Sequence, residues 1–508
     1  MLRSIRNVRR LLGIARTLAR YDALFPIEAL ASWPVAAALA RIASRRGVPG
    51  RPGERLAAAL NALGPSFIKF GQALSTRPDL IGETMAQDLS DLQDQLPPFA
   101  ADQARATIEA ELGAPLDTLF SRFDDEPVAA ASIAQVHFAV TNDGREVAVK
   151  VLRPKIEQAF ARDLDLFYWL AELIERTQPR WRRLKPVEVV RTLAETVAIE
   201  MDLGFEAAAA SELRENLIDD EGFRVPQVDW RRTSRRVLTL DRVEGIPIDE
   251  RDALLAAGHD LDAIIDKAAR SVFNQVFRDG FFHADLHPGN LFVDPTGDVV
   301  AVDFGIMGRL DRKTRRYLAE MLLGFLTGDY ARVADIHFEA DYVPSGKSRD
   351  AFVQACRSIA EPIHDRPLNE ISFAHLLARL FQVTETFAME TQPQLLLLQK
   401  NMVLAEGISR RLNPDVNMWA LIQPLIEEWM SNNLGPEARL RDVFVEGVAA
   451  AQRLPKLLKD AEASLAAGGL KLHPETVRAL SRARSRSGGA ALMWVALAAL
   501  ALAVVALA

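Results

Sequence analysis

The pattern that most constrains this chain is Phe282-His283-Ala284-Asp285-Leu286-His287-Pro288-Gly289-Asn290, followed by Val302-Asp303-Phe304-Gly305. The residues between these blocks read as a hairpin. Leu291-Phe292-Val293 is a short apolar strand, Asp294-Pro295-Thr296-Gly297-Asp298 has turn chemistry, and Val299-Val300-Ala301-Val302 is the return strand. A hairpin of this kind holds three side chains at strand ends and loops. Asp285 is then placed to accept a proton from a nucleophile. Asn290 and Asp303 supply oxygen ligands for Mg²⁺ on the phosphates of ATP. The three arrive together at working spacing, which a chance His-x-Asp in a polar loop does not explain.

The upstream sequence supplies the rest of such a site. Glu146-Val147-Ala148-Val149-Lys150-Val151-Leu152 alternates as a β-strand and places Lys150 to hold the α- and β-phosphates. Before it, Ala129, Ala130, Ala131, Ser132, Ile133, Ala134, Gln135 and Val136 form a stretch of mostly small residues where a kinase-like fold has its Gly-rich phosphate turn. They are expected to be a nucleotide-binding loop, with a strand from Val136 to Val140. A helical insert is expected from about Pro154 to Pro186, and one long helix from Val187 to Asn216. That helix carries Glu200, Asp202 and Glu206. At about 100° per residue, Glu200 and Glu206 lie roughly 240° apart and face different partners. Glu206 is assigned to an ion pair with Lys150, and Glu200 with Asp202 to Lys69; an ordinary exposed acidic face is the competing reading. Val237 to Gly245 is an apolar strand leading into a linker, where the backbone of Asp241 and Val243 is expected to meet adenine.

Earlier still, Lys69, Gln72 and Thr76 share one helical face, and Pro78 ends that helix. The face is either solvated surface or a regulatory contact carried onto the ATP site. Past Asp303, residues 311 to 475 read as helices, and the apolar run Gln392 to Leu404 reads as core.

A length of 508 residues suggests about three domains, and 49% hydrophobic residues can fill a substantial core. The net charge of −7 gives no case for nucleic-acid binding. The single cysteine, Cys356, rules out an internal disulfide or a thiolate metal site, which suits a reducing, cytosol-facing body. Charge is uneven at the ends. Six arginines and no acid precede Asp22. Two readings fit this segment: a basic amphipathic helix on an anionic bilayer, or a solvated helix packed on its own domain. At the other end, Ala490 to Ala508 carries no charge and follows Arg478, Arg482, Arg484 and Arg486. This reads as a single membrane span with the arginines and the body on the cytoplasmic side.

Taken together, Lys69-Phe70-Gly71-Gln72, the Ala129 to His137 stretch, Val147-Ala148-Val149-Lys150, Glu200-Met201-Asp202 with Glu206, and the two catalytic blocks resemble the UbiB (AarF-domain) family of atypical kinases. The resemblance runs from about residue 55 to 410. It implies an α+β, protein-kinase-like two-lobe fold, with a KxGQ helix extension over the place where a peptide substrate would lie. The expected layout is residues 1–120 as basic helix and KxGQ extension, 121–245 as N-lobe with its insert, 246–487 as helical C-lobe, and 488–508 as transmembrane anchor. The resemblance further implies ATP and Mg²⁺ as cofactors, and ATP hydrolysis or phosphorylation of a small molecule in support of ubiquinone synthesis. The implied partners are anionic membrane lipid, phenolic or quinone intermediates and other ubiquinone biosynthesis enzymes, with a homodimer left open. The implied place is the bacterial cell inner membrane. Two departures stand out: position 134 is Ala where many relatives have Gly, and one C-terminal span is evident where relatives often have two. An antibiotic-kinase type of phosphotransferase and a non-catalytic, nucleotide-gated lipid scaffold are the alternatives. The KxGQ helix and Ala triplet weigh against the first, and the intact Asp285, Asn290 and Asp303 set against the second.

Overall fold

The computed structural model describes residues 2–23, 48–75, 81–90, 92, 96–177, 185–364, 383, 386–387, 389 and 392–434. The chain divides into a unit from Met1 to Trp429 and a second from Met430 to Ala508, of which residues 430–434 are described. The expected anchor from Ala490, Thr76 and Pro78 therefore lie outside the described residues. Among the described residues, no helix is long and apolar enough to cross a membrane.

Two sheets organise the first unit. The upper sheet has the order β1-β3-β4-β6, formed by Phe120–Phe123, Ala134–Thr141, Glu146–Leu152 and Val237–Asp241, with β2 (Ala129–Ala130) on β3. All its pairings are antiparallel. Period-two alternation sorts its side chains by face. Val147, Val149, Val151 and Val237 are fully buried against Ile108, Leu116 and Phe120, whereas Leu238 joins the core on the opposite side. Lys150, between Val149 and Val151, is therefore turned to that opposite side.

The lower sheet has the order β5-β10-β9-β7, formed by Phe223–Arg224, Val299–Ala301, Leu291–Val293 and Ile246–Pro247. Beside it, β8 (Phe281–His283) pairs with β11 (Met307–Arg309). Helices Leu261–Phe273, Arg312–Thr327, Tyr330–Glu339, Arg349–His364 and Pro393–Leu412 follow or flank these strands. Cys356 is buried among Tyr330, Val333 and Phe352, as a small apolar residue would be.

The basic N-terminal segment is a helix, Leu2–Arg20. Two of its arginines are already engaged within the chain: Arg6 pairs with Asp165 at 2.8 Å and Arg10 with Asp163. Those acids lie on the insert helix Ile156–Thr177. Asp163 also accepts from Ser66 at 2.7 Å, so it joins the N-terminal helix to the KxGQ helix, Pro65–Ser75. The rings of Phe67 and Phe70 pack on Phe167, centroids 5.2 and 5.1 Å away. Packing on its own domain thus describes the face that bears Arg6 and Arg10.

One expectation fails. Residues 187–216 are two helices, Pro186–Glu200 and Leu203–Asn216, broken at Met201-Asp202. Asp202 is extended and caps the second helix, its Oδ1 accepting from Gly204 N at 3.0 Å. An aspartate in that role starts a helix rather than continuing one. The angular argument for Glu200 and Glu206, built on one continuous helix, therefore does not apply.

Candidate active site

Two elements converge on the strand residue Lys150. Its Nζ lies 2.7 Å from Glu206 Oε1 and 3.2 Å from Asp303 Oδ1. Glu206 is in the first turn of the helix that Asp202 caps, so the break rejected by periodicity is what aims this carboxylate. Lys69 Nζ lies 2.9 Å from Glu200 Oε2, at the end of the preceding helix, and both side chains are nearly buried. Asp202, expected to share Lys69, is the cap and lies 4.0 Å from Arg235. Gln72 follows Lys69 on the same helix.

The charges are set by burial and by one another. Burial draws Lys150 down, but Asp303 and Glu206 outweigh it and hold the ammonium above its ordinary range. Burial pushes Glu206 up to about 7, against the pull of Lys150. Asp303 moves the other way: burial opposes it, yet Lys150, the Gly305 amide and Lys69 hold it down at about 2.

The hairpin between Asn290 and Asp303 forms as read. β9 and β10 pair Val293 with Val299 and Leu291 with Ala301. Asp294 stiffens the turn by accepting from Thr296 N at 2.9 Å and Asp298 N at 3.0 Å. At its base, Val302 N donates to Asn290 O at 2.9 Å, which brings the Asn290 and Asp303 loops side by side. Asn290 Nδ2 donates to Asp285 O at 3.1 Å. His283 is fully buried, its Nδ1 accepting from Asp285 N at 3.2 Å. It is therefore a strut for the loop, not a proton carrier. Asp303 has φ +63°, a left-handed conformation that a non-glycine residue rarely adopts.

Asn290 and Asp303 fit Mg²⁺ by their chemistry. Among the described residues there is no cluster of three or more His, Cys, Asp or Glu. Mg²⁺ on a nucleotide asks for less: one or two protein oxygens, with phosphate and water filling the remaining positions.

Three residues outside the motifs complete the loop. Lys400 Nζ lies 2.6 Å from Asp285 Oδ1. Its neighbour Asn401, which is buried, donates to His283 O and accepts from Leu286 N at 3.2 Å. Gln275, in a π-helical turn, accepts from His283 N at 3.0 Å. The run Gln392 to Leu404 reads as core, but only Leu398 among its described apolar residues is buried, while Leu395, Leu396 and Met402 line a cavity and Val403 is exposed; the signal within it is Gln399-Lys400-Asn401, a polar triplet inside an apolar helix.

Residues 91–337 match the ABC1 atypical kinase-like domain, and residues 356–417 match the UbiB helical domain. The chain is 44% identical to the probable protein kinase UbiB of Marinobacter nauticus over 82% of its own length and 78% of the relative's. It is 44% identical to that of Aeromonas hydrophila over 80% and 75%, and 42% identical to that of Pseudomonas entomophila over 89% and 85%. The chain belongs to the UbiB family. The ABC1 match contains Lys150, Glu206, Asp285, Asn290 and Asp303, and the UbiB helical match contains Lys400 and Asn401.

The Ala-rich stretch of this UbiB-family chain is a tight hairpin rather than an open loop. Ala129 and Ala130 pair with Val136 and Gln135, and Ala131 N donates to Ala134 O at 2.8 Å. None of the three alanines has positive φ. Arg153 donates to Ala131 O from Nε at 3.0 Å and Nη2 at 2.8 Å, pinning the turn. Gln135 is taken up elsewhere: it is buried, it exchanges hydrogen bonds with the Phe99 backbone, and it meets His137 Nε2 at 2.8 Å. A fully hydrogen-bonded core amide is not a nucleotide contact. Ser132 is fully buried, and Ile133 and Ala134 lie in the core. At the linker, Asp241 N already donates to Gln227 O at 2.9 Å, so that amide is committed; Val243 follows beyond the strand. Among the helices of the lower half lies an apolar cavity of about 310 Å³, lined by Phe273, Val276, Met321, Leu395, Leu398 and Met402 among others.

Proposed function

We propose that the chain is an Mg²⁺-dependent ATPase or small-molecule kinase. It would act at the bacterial inner membrane in support of ubiquinone synthesis. The observation that carries this is Lys150 held between Glu206 and Asp303, with Asp285 and Asn290 on the adjoining loop. Lys150 takes the α- and β-phosphates, and Glu206 fixes its ammonium. Asn290 and Asp303 would hold the metal, whose charge would offset that of the phosphates when bound. Asp285 orients a water or hydroxyl group. That oxygen bonds to the γ-phosphorus as the bond to the ADP oxygen breaks with its electron pair. The attacking group's proton passes to Asp285.

The hydrogen-bonded Ala hairpin and the Lys69–Glu200 pair favour water or a small acceptor over a protein hydroxyl. Membrane placement rests on the uncharged C-terminal segment and family membership, and the apolar cavity suits a phenolic or quinone intermediate. The test is phosphate release by the full chain, measured with and without anionic liposomes and a phenolic lipid analogue. Stimulation by both supports the reading. Absence of turnover in every arm, with nucleotide still bound, would leave a scaffold.

A further inference from the structure

We propose that Lys400 is a positioning residue for Asp285, supplied to the catalytic loop from the C-terminal helical region. This rests on the phosphoryl-transfer reading above.

The loop from His283 to Asn290 contains no lysine or arginine. Its one exposed basic side chain, His287, is turned back on its own backbone, with Nδ1 accepting from Gly289 N at 3.1 Å. A cation for Asp285 must come from elsewhere, and the helix Pro393–Leu412 brings one to 2.6 Å. The contact is not a chance surface pair. The next residue, Asn401, is 1% exposed and binds the loop on both sides of Asp285, at His283 O and Leu286 N. A side-chain amide satisfying one backbone acceptor and one backbone donor fixes the helix against the loop, because leaving either unpaired in the interior is costly. That anchor sets where Lys400 begins, and the flexible lysine stem does the rest. The Lys400 side chain is 41% exposed and that of Asp285 30% exposed, so the pair is open to solvent and to an approaching acceptor.

The consequence is a division of labour within the loop. The Asp285 backbone carbonyl is held by Asn290, its amide by His283, and its carboxylate by Lys400. One carboxylate oxygen is engaged by the ammonium, which leaves Oδ2 as the atom to receive the nucleophile's proton. Lys400 thus selects the rotamer and the oxygen without itself touching the reacting atoms.

The test compares the full-length parent with Lys400→Ala, Lys400→Gln and Lys400→Arg, reading ATP turnover and Mg-ATP thermal shift on the same samples. The expected result is a fall in kcat of about tenfold or more for Ala and Gln, with KM for ATP and the thermal shift within about twofold of the parent. Arg should restore much of kcat. Ethylamine added to Lys400→Ala should restore part of it, a rescue that a packing role does not allow. Gln serves if Ala fails to melt cooperatively, since a polar side chain is tolerated at a half-exposed position. A parent-like kcat in Ala or Gln overturns the proposal. So does a loss confined to KM, or a loss that neither Arg nor ethylamine relieves. A parent that binds Mg-ATP without turnover would overturn both this proposal and the enzymatic reading, and the parent alone decides that.

Discussion

Lys150 Nζ lies 3.2 Å from Asp303 Oδ1, so the strand lysine of the upper sheet is joined to the Asp-Phe-Gly carboxylate beyond the lower one. Glu206 completes a triangle of one cation and two acids. On the function proposed above, nucleotide phosphates and metal would supply both signs of charge and would enter by exchanging with contacts already in place.

Asp303→Asn should weaken Mg-ATP binding by about tenfold or more, because a carboxylate ligand becomes a neutral amide. It also removes one of the two anions around Lys150. A thermal-shift titration with Mg-ATP checks this. An unchanged shift would remove Asp303 from the metal site.

Glu206 gives a pH dependence with a definite sign. Its carboxyl is pushed up to about 7 by burial, so Lys150 faces two carboxylates above that pH and only Asp303 below it. Mg-ATP affinity should therefore fall as pH drops through about 7. Stability runs oppositely, since a carboxyl raised in the folded state disfavours folding as pH climbs from 4.5 toward 7. Binding is accordingly the readout. Dissociation constants for the parent and Glu206→Gln across pH 5.5–8.5 decide it: parallel curves would sink the assignment.

Gly71, inside the KxGQ helix, has a steric reason to be glycine. A Cβ there would come within 2.5 Å of Leu92 Cδ1 and 2.7 Å of Leu60 Cδ1. Gly71→Ala should cost about 1–3 kcal/mol of stability through overpacking and shift Lys69 away from Glu200. A urea melt measures the first. A midpoint equal to the parent's would show that the helices yield without cost.

Ala130→Gly tests the Ala-rich hairpin. The substitution costs about 0.5–1 kcal/mol in backbone terms and loosens a strand that pairs with Gln135. The expected outcome is an altered preference between ATP and ADP and some autophosphorylation. Radiolabel incorporation is compared with the parent, each also carrying Asp303→Asn as a dead control. Equal preference and equal labelling would make the hairpin a passive cover.

The pairings Lys150–Glu206 and Lys69–Glu200 take their geometry from the helix break at Asp202; the sequence by itself determined the hairpin between Asn290 and Asp303 and the strand bearing Lys150. These were legible because ligand chemistry demands particular residue types, and because strands and turns are read over a few residues. Tertiary structure decided the rest. The break at Asp202 depends on a cap that competes closely with helix propagation, which periodicity does not resolve. Gln135 reads as part of the phosphate loop, yet it is buried and its side chain bonds the Phe99 backbone 36 residues away. Lys400 stands 115 residues from Asp285, on a helix whose pattern shows a polar triplet but not what that triplet meets. Local sequence records which face of an element is buried. It does not record which distant polar atoms that face will meet, because only packing brings them within hydrogen-bond distance.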